Sequence, residues 1–174
     1  MPVLNIEFKA RVADIDALEK RLLELAPDFI GVDHQVDTYF NVAKGRLKLR
    51  EGNIENALIY YERPDTKGAK QSAVLLYCHH QDKALRDILI QLHGIKVVVD
   101  KKRRIYFIDN VKFHFDRVET LGTFVEVEAI DSNGEKTTAQ LHEQCKKYAA
   151  LFNIQPEDLL ADSYSDMLTG RNSP

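Results

Sequence analysis

The clearest hairpin pattern in this chain is Lys101-Lys102-Arg103-Arg104-Ile105-Tyr106-Phe107-Ile108-Asp109-Asn110-Val111-Lys112-Phe113-His114-Phe115-Asp116-Arg117-Val118. Asp109-Asn110 is typical of a two-residue hairpin turn, and β-favouring residues flank it on both sides. The turn sets Ile108 opposite Val111 and Arg103 opposite Asp116, and directly opposed residues share a face. One face is then predicted to carry Lys101, Arg103, His114 and Asp116, and the other Arg104, Tyr106, Phe113 and Phe115. A shift of one residue would instead turn Lys102 and Arg104 to the first face.

Three further runs place ionisable or polar residues at every second position. They are Asn5-Ile6-Glu7-Phe8-Lys9, Arg46-Leu47-Lys48-Leu49-Arg50 and Phe124-Val125-Glu126-Val127-Glu128. Because side chains alternate between the two faces of a strand, the polar members of each run share one face. One run is cationic and another is acidic on that face, a combination that suits a polyanion bound together with a divalent metal.

Composition indicates an ordinary globular protein. The 174 residues fit one domain, predicted to span 1–174, and the net charge of −3 argues against a general nucleic-acid binder. No apolar run reaches the ~20 residues of a membrane span, and no signal-type segment opens the chain, so a cytoplasmic protein without membrane contact is expected. Cys78 and Cys145 form no metal-type pair, and Cys145 lies on an apolar helical stripe typical of a core residue.

Hydrophobic periodicity predicts eight strands and three main helices. The strands are expected at about 3–10, 32–41, 45–51, 56–63, 71–79, 95–108, 111–118 and 123–130. The first helix is capped by Asp14, turns Ile15, Leu18, Leu22 and Leu25 inward and ends at Pro27. The second spans about 82–93 with Leu85, Ile88, Leu89 and Leu92 inward, and the third spans about 136–152. Short connections between strands favour an α+β fold with an eight-stranded antiparallel β-barrel, closed or nearly closed, flanked by helices.

The alternating charges have a consequence for the interior of this barrel. If helices cover the apolar outer face, the charged face points inward, whereas an ordinary small barrel fills its interior with apolar side chains. A charged interior is costly unless water, a metal or an anionic ligand occupies it. The pattern therefore predicts a wet tunnel.

An ordered series of motifs resembles the CYTH superfamily, the triphosphate tunnel enzymes that include class IV adenylyl cyclases and thiamine triphosphatases. The series comprises Asn5 to Lys9, Gln35-Val36-Asp37-Thr38-Tyr39-Phe40, Arg46 to Arg50, Tyr60-Tyr61-Glu62-Arg63-Pro64, Lys70-Gln71-Ser72, Lys101 to Tyr106, Phe115-Asp116-Arg117-Val118-Glu119, Leu121 to Glu128 and Ser163-Tyr164. The match covers residues 3 to about 168 in order. The Lys70–Ser72 step and the Tyr-Glu-Arg-Pro stretch resemble the cyclase branch most.

The resemblance implies a set of site residues. The triphosphate would be bound by Lys9, Lys48, Arg50, Arg63, Lys70, Lys101 and Arg103. Mg²⁺ or Mn²⁺ would be held by Glu7, Asp116, Glu126 and Glu128, and the catalytic group would comprise Glu7, Lys9 and Arg103. Several converging cations suit the roughly four negative charges of a triphosphate, and carboxylates suit a hard dication. Without the resemblance, Lys48, Arg50, Glu126 and Glu128 would be read as solvated strand faces.

Asn5 departs from the family pattern, which has a carboxylate at this position. An amide oxygen can bind Mg²⁺ or Mn²⁺ but carries no charge, so a weakened or rearranged metal site is expected. Three functions remain open: an adenylyl cyclase-like enzyme that forms cyclic AMP and pyrophosphate from ATP, an inorganic or organic triphosphatase, and a binding protein that has lost turnover. The partner is expected to be a small-molecule triphosphate, with a homodimer as a possible assembly.

Overall fold

The computed structural model describes residues 4–62 and 70–170 and, within them, eight strands and four α-helices. The strands are β1 (Leu4–Arg11), β2 (Asp28–Phe40), β3 (Arg46–Gly52), β4 (Ala57–Glu62), β5 (Lys70–Cys78), β6 (Ile95–Ile108), β7 (Val111–Val118) and β8 (Gly122–Asp131). The helices are α1 (Ile15–Leu23), α2 (Lys83–His93), α3 (Thr138–Leu151) and α4 (Tyr164–Thr169). The predicted α+β class is confirmed.

The strands form a closed antiparallel barrel in the order β1-β5-β4-β3-β2-β6-β7-β8, with β8 paired to β1. Closure confirms the predicted barrel and leaves no sheet edge among these strands. The β6–β7 hairpin has the predicted register, because Ile108 pairs with Val111 and Arg103 pairs with Asp116. Its polar residues therefore face the barrel interior, and its aromatic residues face outward.

The largest apolar core lies outside the barrel, under α1 and α3. Outward residues of β1 and β8 such as Phe8 and Val127 are buried there, and α3 packs Leu141, Cys145 and Tyr148 against them. Cys145 is 1% exposed, which confirms it as a core residue. Because this core holds the apolar half of β1, β7 and β8, the polar half of these strands faces the barrel interior.

Helix α1 ends earlier than predicted. It stops at Leu23, so Leu25 lies beyond it and is 44% exposed instead of packing inward. Ala26 has a φ of 50°, and a residue before proline is disfavoured in the helical region. The chain then re-enters the sheet at Asp28, four residues before the predicted start of this strand, with a register shift between Phe29 and Gly31.

Helix α2 covers part of the outer face of β2 and β3. Leu89 is buried with Phe40 and Leu49, and Leu85 and Ile90 pack against them. The predicted inward placement of Ile88 and Leu92 is wrong, because these side chains are 56% and 70% exposed. The face of α2 that contacts the sheet is therefore narrower than the apolar stripe in its sequence.

Helix α4 fills one end of the barrel interior. Tyr164 is buried there with Tyr39, Val99 and Phe124, which are inward residues of β2, β6 and β8. Ser163 and Asp166 form a capping box at the start of α4. Among the described residues, no helix has the length and apolar character that crossing a membrane requires.

Candidate active site

A cavity of about 1150 Å³ occupies the rest of the barrel interior. Six cationic side chains of the described residues line it: Lys9, Lys48, Arg50, Lys101, Arg103 and Lys112. Five carboxylates line it as well: Glu7, Asp37, Glu55, Glu126 and Glu128. The structure thus brings together Lys48, Arg50, Lys101 and Arg103, as the strand pattern predicts. Arg63 lies outside the described residues, and so does the side chain of Lys70, whose backbone begins β5.

Asp37 on β2 gathers three of the predicted phosphate ligands. Arg50 binds it with Nε to Oδ1 and Nη2 to Oδ2, both at 2.9 Å, while the Nζ atoms of Lys48 and Lys101 lie 3.1 and 2.8 Å from Oδ2. Burial raises the pKa of Asp37, but these three cations together hold it well below its usual value. Asp37 was not among the predicted site residues, although it lies on β2 opposite Arg50. A single carboxylate thereby neutralises part of a cluster that could otherwise hold a polyanion.

Arg103 is held by two carboxylates. Its Nε and Nη2 donate to Oδ1 and Oδ2 of Asp116 at 2.7 and 2.6 Å, and Nη2 also donates to Glu126 at 3.1 Å. Tyr164 of α4 donates its hydroxyl to Oδ2 of Asp116 at 2.7 Å. Both Asp116 oxygens are engaged in this way, so Asp116 orients Arg103. The role of Asp116 as a metal ligand stays a prediction. Binding a metal would require Asp116 to give up a hydrogen bond to Arg103 or to Tyr164.

Lys9 lies where β1, β8 and α4 meet. Its Nζ is 3.8 Å from Glu126 and 3.9 Å from the centroid of the Tyr164 ring. The ring face and the carboxylate are both favourable partners for the ammonium group of Lys9. Lys9 therefore links the cationic side of the cavity to the carboxylates of β8.

Glu55 enters the cavity from the turn between β3 and β4. It accepts from Arg50 at 3.1 Å and pairs with Lys112. The turn is fixed by Asp33, which accepts the backbone N–H groups of Ile54 and Glu55, both at 2.9 Å. Sequence reasoning missed Glu55, because a turn residue carries no strand alternation that indicates its direction. It also missed Lys112, although alternation along β7 places this residue on the same face as His114.

Glu126 and Glu128 on β8 and His114 on β7 form the arrangement best suited to a metal ion. Their candidate ligand atoms lie within 4.8 Å of one another. Burial first, and the adjacent Glu126 second, raise the pKa of Glu128 to about 7. Burial and nearby Arg103 lower the pKa of His114 to about 3, so the imidazole is neutral. Two crowded carboxylates and a neutral imidazole are a donor set that fits a divalent cation.

Asn5 and Glu7 on β1 border this cluster. Glu7 pairs across the sheet with Glu128, and Nδ2 of Asn5 donates to Oε2 of Glu7 at 3.4 Å. Oδ1 of Asn5 is buried without a hydrogen-bond partner among the described residues. This buried amide oxygen, next to Glu7, is a donor atom that a divalent cation could use.

Asn5→Glu should tighten metal binding. The substitution adds a carboxylate beside Glu7 and Glu128, where the family pattern has one, and the added charge favours a hard dication. We expect a larger gain for Mg²⁺ than for softer ions, measured by calorimetry on both forms. Equal affinities would show that residue 5 does not approach the metal. The matched control is Asn133→Glu, a substitution at an exposed position that does not line the cavity.

Lys101 should take up a proton when a triphosphate binds. Burial, aided by Arg50, Arg103 and Lys48, lowers the pKa of Lys101 to about 7, although Asp37 opposes the shift. A nearby polyanion would raise this pKa again, so affinity should be constant below pH 7 and fall as the pH rises above it.

The uptake can be measured by calorimetric titration with tripolyphosphate at pH 8, in two buffers of different ionisation enthalpy. The difference in binding enthalpy between the two buffers gives the number of protons taken up on binding. This number should be larger by about one for the wild type than for Lys101→Met. The comparison with the variant removes the contribution of protons that tripolyphosphate itself exchanges. Equal buffer dependence in the two proteins would contradict the assignment of Lys101 to the phosphate site.

The comparisons with known proteins agree with this geometry. The family model of the CYTH domain matches residues 4–164. The chain belongs to the CYTH family, as the motif series predicts. A Methanocaldococcus jannaschii protein, provisionally assigned as an adenylate cyclase, is 25% identical over 174 aligned residues, which cover 95% of this chain and 98% of that protein.

Solved structures show the same fold in similar proteins. A Pyrococcus horikoshii protein, whose name states no activity, superposes with a TM-score of 0.80 at 26% identity and covers 93% of this chain and 98% of its own. A Hippeastrum protein, provisionally assigned as an adenylyl cyclase and described as having a dominant triphosphatase activity, has a TM-score of 0.62 at 14% identity, over 97% of this chain and 95% of its own. At that identity the second likeness concerns the fold alone.

Proposed function

We propose that this protein is a divalent-metal-dependent enzyme of the class IV adenylyl cyclase type, which converts ATP to cyclic AMP and pyrophosphate. One observation carries the proposal. The closed barrel holds a cluster of cations, a cluster of carboxylates and an apolar wall in the same cavity. The cyclase-like names among relatives of the family support it.

The cationic cluster suits the triphosphate. Lys48, Arg50 and Lys101 share Asp37, and a bound phosphate can replace this carboxylate as the common acceptor. Arg103 uses Nε and Nη2 on carboxylates, and its Nη1 has no hydrogen-bond partner among the described residues. Charge-assisted bonds from lysines and arginines are the strong contacts that phosphate groups receive in proteins.

The apolar wall favours an organic triphosphate over an inorganic one. Ala57, Ile59 and Tyr61 form a buried cluster on β4, with the partly buried Val74 of β5 packed against it, and all four line the cavity. Strand β4 lies four strands from β7 in both directions around the barrel, so this wall faces the side that carries His114. Apolar and aromatic surface beside a few polar groups is typical of sites for organic ligands, and a nucleoside is one that would use it.

The reaction requires in-line attack of the ribose 3′-hydroxyl on the α-phosphorus, with pyrophosphate as the leaving group. Glu126, Glu128, Glu7 and His114 would hold the metal, which when bound supplies charge neutralisation on phosphate oxygens. Arg103, fixed by Asp116, stabilises negative charge that develops on the phosphate. Lys9 adds a positive charge at the same side of the cavity, and Glu7 lies near enough to the β8 carboxylates to accept a proton from the hydroxyl or to hold the metal.

A triphosphatase is the second candidate. The same cations and carboxylates serve attack by water on the terminal phosphate, because positioning and charge neutralisation dominate both reactions. The Hippeastrum protein with the same fold carries both descriptions. A binding protein without turnover is the third candidate, and Asn5 in place of a carboxylate is the observation that favours it.

Product analysis distinguishes these candidates. The purified protein is incubated with ATP and, separately, with tripolyphosphate, in Mg²⁺ and in Mn²⁺, beside an Arg103→Met variant as the inactive control. Cyclic AMP with pyrophosphate is the expected result. Free phosphate without cyclic AMP would select the triphosphatase, and saturable binding of ATP with no product would select the binding protein.

A further inference from the structure

His114 is the most unusual side chain of the cavity. It lies on β7 opposite Glu126, faces the interior and is 1% exposed. Nδ1 and Nε2 are both buried, and neither has a hydrogen-bond partner among the described residues. Burying two ring nitrogens without hydrogen-bond partners costs free energy. A bound ligand that contacts one of these nitrogens would offset part of this cost.

The surrounding distances fit a shared ion better than direct hydrogen bonds. Nδ1 lies 3.6 Å from Oε2 of Glu126 and 3.5 Å from Oε1 of Glu128. Hydrogen bonds from nitrogen to oxygen are shorter, about 2.7–3.2 Å. Two ligand atoms bound at roughly 2.1 Å to one metal ion lie about 3–3.5 Å apart when they are neighbours in its coordination shell. The distances from His114 to the two carboxylates are thus close to those between neighbouring ligands of one ion.

We propose that His114 coordinates the metal together with Glu126 and Glu128, and that this nitrogen ligand makes the site prefer a transition-metal dication such as Mn²⁺ to Mg²⁺. The inference takes from the proposed function only that the cavity binds a divalent cation. It adds a ligand from β7 to those that the strand motifs predict.

The chemistry of the donor set supports this preference. Mg²⁺ selects oxygen ligands and near-ideal octahedral geometry, whereas imidazole suits first-row transition metals. Asn5 strengthens the effect, because an amide oxygen replaces a carboxylate on the adjoining strand β1 and removes a charge that Mg²⁺ would favour. A neutral imidazole and a neutral amide therefore shift the balance in the same direction.

Two measurements on the full chain without nucleotide test the proposal. Mn²⁺ and Mg²⁺ affinities are measured by calorimetry, and pulsed electron paramagnetic resonance of bound Mn²⁺ detects coupling to a ¹⁴N nucleus. The test variant is His114→Gln, and the matched control is His34→Gln, because His34 also faces a carboxylate, Asp100 at 2.7 Å, but on the exposed surface. Circular dichroism and melting curves show whether each variant folds.

The wild type and His34→Gln should show nitrogen coupling and a clear preference for Mn²⁺. His114→Gln should lose the coupling and reduce the ratio of Mn²⁺ to Mg²⁺ affinity by about tenfold. Bound Mn²⁺ without nitrogen coupling in the wild type, or no Mn²⁺ binding at all, would overturn the inference. If His114→Gln does not fold, the spectrum of the wild type alone decides. Nitrogen coupling in a protein that does not turn over ATP would leave this inference standing and contradict only the proposed enzyme activity.

Discussion

Asp37→Asn should destabilise the barrel by about 3–5 kcal/mol, because it removes the shared partner of Lys48, Arg50 and Lys101. Asp37 is 1% exposed, so water cannot readily replace the lost charge. Asparagine keeps the size of the side chain, and the loss would come from three cations left near one another. Urea unfolding of the wild type and the variant at pH 6, where Lys101 is protonated, measures the effect.

The same variant should bind tripolyphosphate more tightly than the wild type. In the wild type a phosphate competes with Asp37 for the three cations, and in the variant it does not. Added tripolyphosphate should therefore restore much of the lost stability, since a ligand that binds only the native state raises the free energy of unfolding. Asp100→Asn is the matched control, because Asp100 is an exposed aspartate paired with His34 on the outer surface. Unchanged stability and unchanged affinity in Asp37→Asn would show that Asp37 does not compete with an anion.

Glu126→Gln should lower metal-dependent turnover by about 100-fold or more and leave the fold intact. Glu126 lies at the centre of the site, within reach of Lys9, Arg103 and His114. Arg103 keeps its two bonds to Asp116 in the variant, so its orientation should survive. Loss of metal binding, measured by calorimetry, should accompany the loss of turnover.

Glu128→Gln should have the same kind of effect, and Glu119→Gln is the control, since Glu119 lies exposed after the end of β7. Cooperative melting curves and an unchanged circular dichroism spectrum would show that the β8 variants fold. If both Glu126→Gln and Glu128→Gln kept wild-type turnover and metal titration, the carboxylates of β8 would not belong to the metal site.

Most of the fold could be predicted because strand alternation and one turn fix it. Asp109-Asn110 sets the β6–β7 register, and that register places Arg103 opposite Asp116 as observed. The ends of the helices and the faces that they bury were harder to predict from the sequence, because both depend on tertiary packing. The early end of α1 follows from the backbone of Ala26, and the exposed Leu92 from the narrow contact of α2 with the sheet.

The site was only partly visible in the sequence. Strand alternation correctly predicted that Lys48, Arg50, Lys101 and Arg103 line one cavity. It could not show that Asp37 would bind Lys101 as well as Lys48 and Arg50, because β6, which carries Lys101, is distant from β2 in sequence. Asp37 and Lys101 are 64 residues apart and pair at 2.8 Å only after closure of the barrel. His114 and the β8 carboxylates lie on neighbouring strands, but the sequence did not show that both ring nitrogens of His114 would be buried without hydrogen-bond partners among the described residues.

The binding of a triphosphate and a metal ion inside the barrel can be tested by a crystal structure with Mn²⁺ and a non-hydrolysable ATP analogue. We expect three phosphates inside the barrel, contacted by Lys48, Arg50, Lys101 and Arg103, and an anomalous peak for Mn²⁺ bound by Glu126 and Glu128. The analogue's base should lie toward the wall formed by Ile59, Tyr61 and Val74. An analogue bound only on the outer surface, or a tunnel that stays free of both phosphate and Mn²⁺ at saturating concentrations, would contradict this expectation.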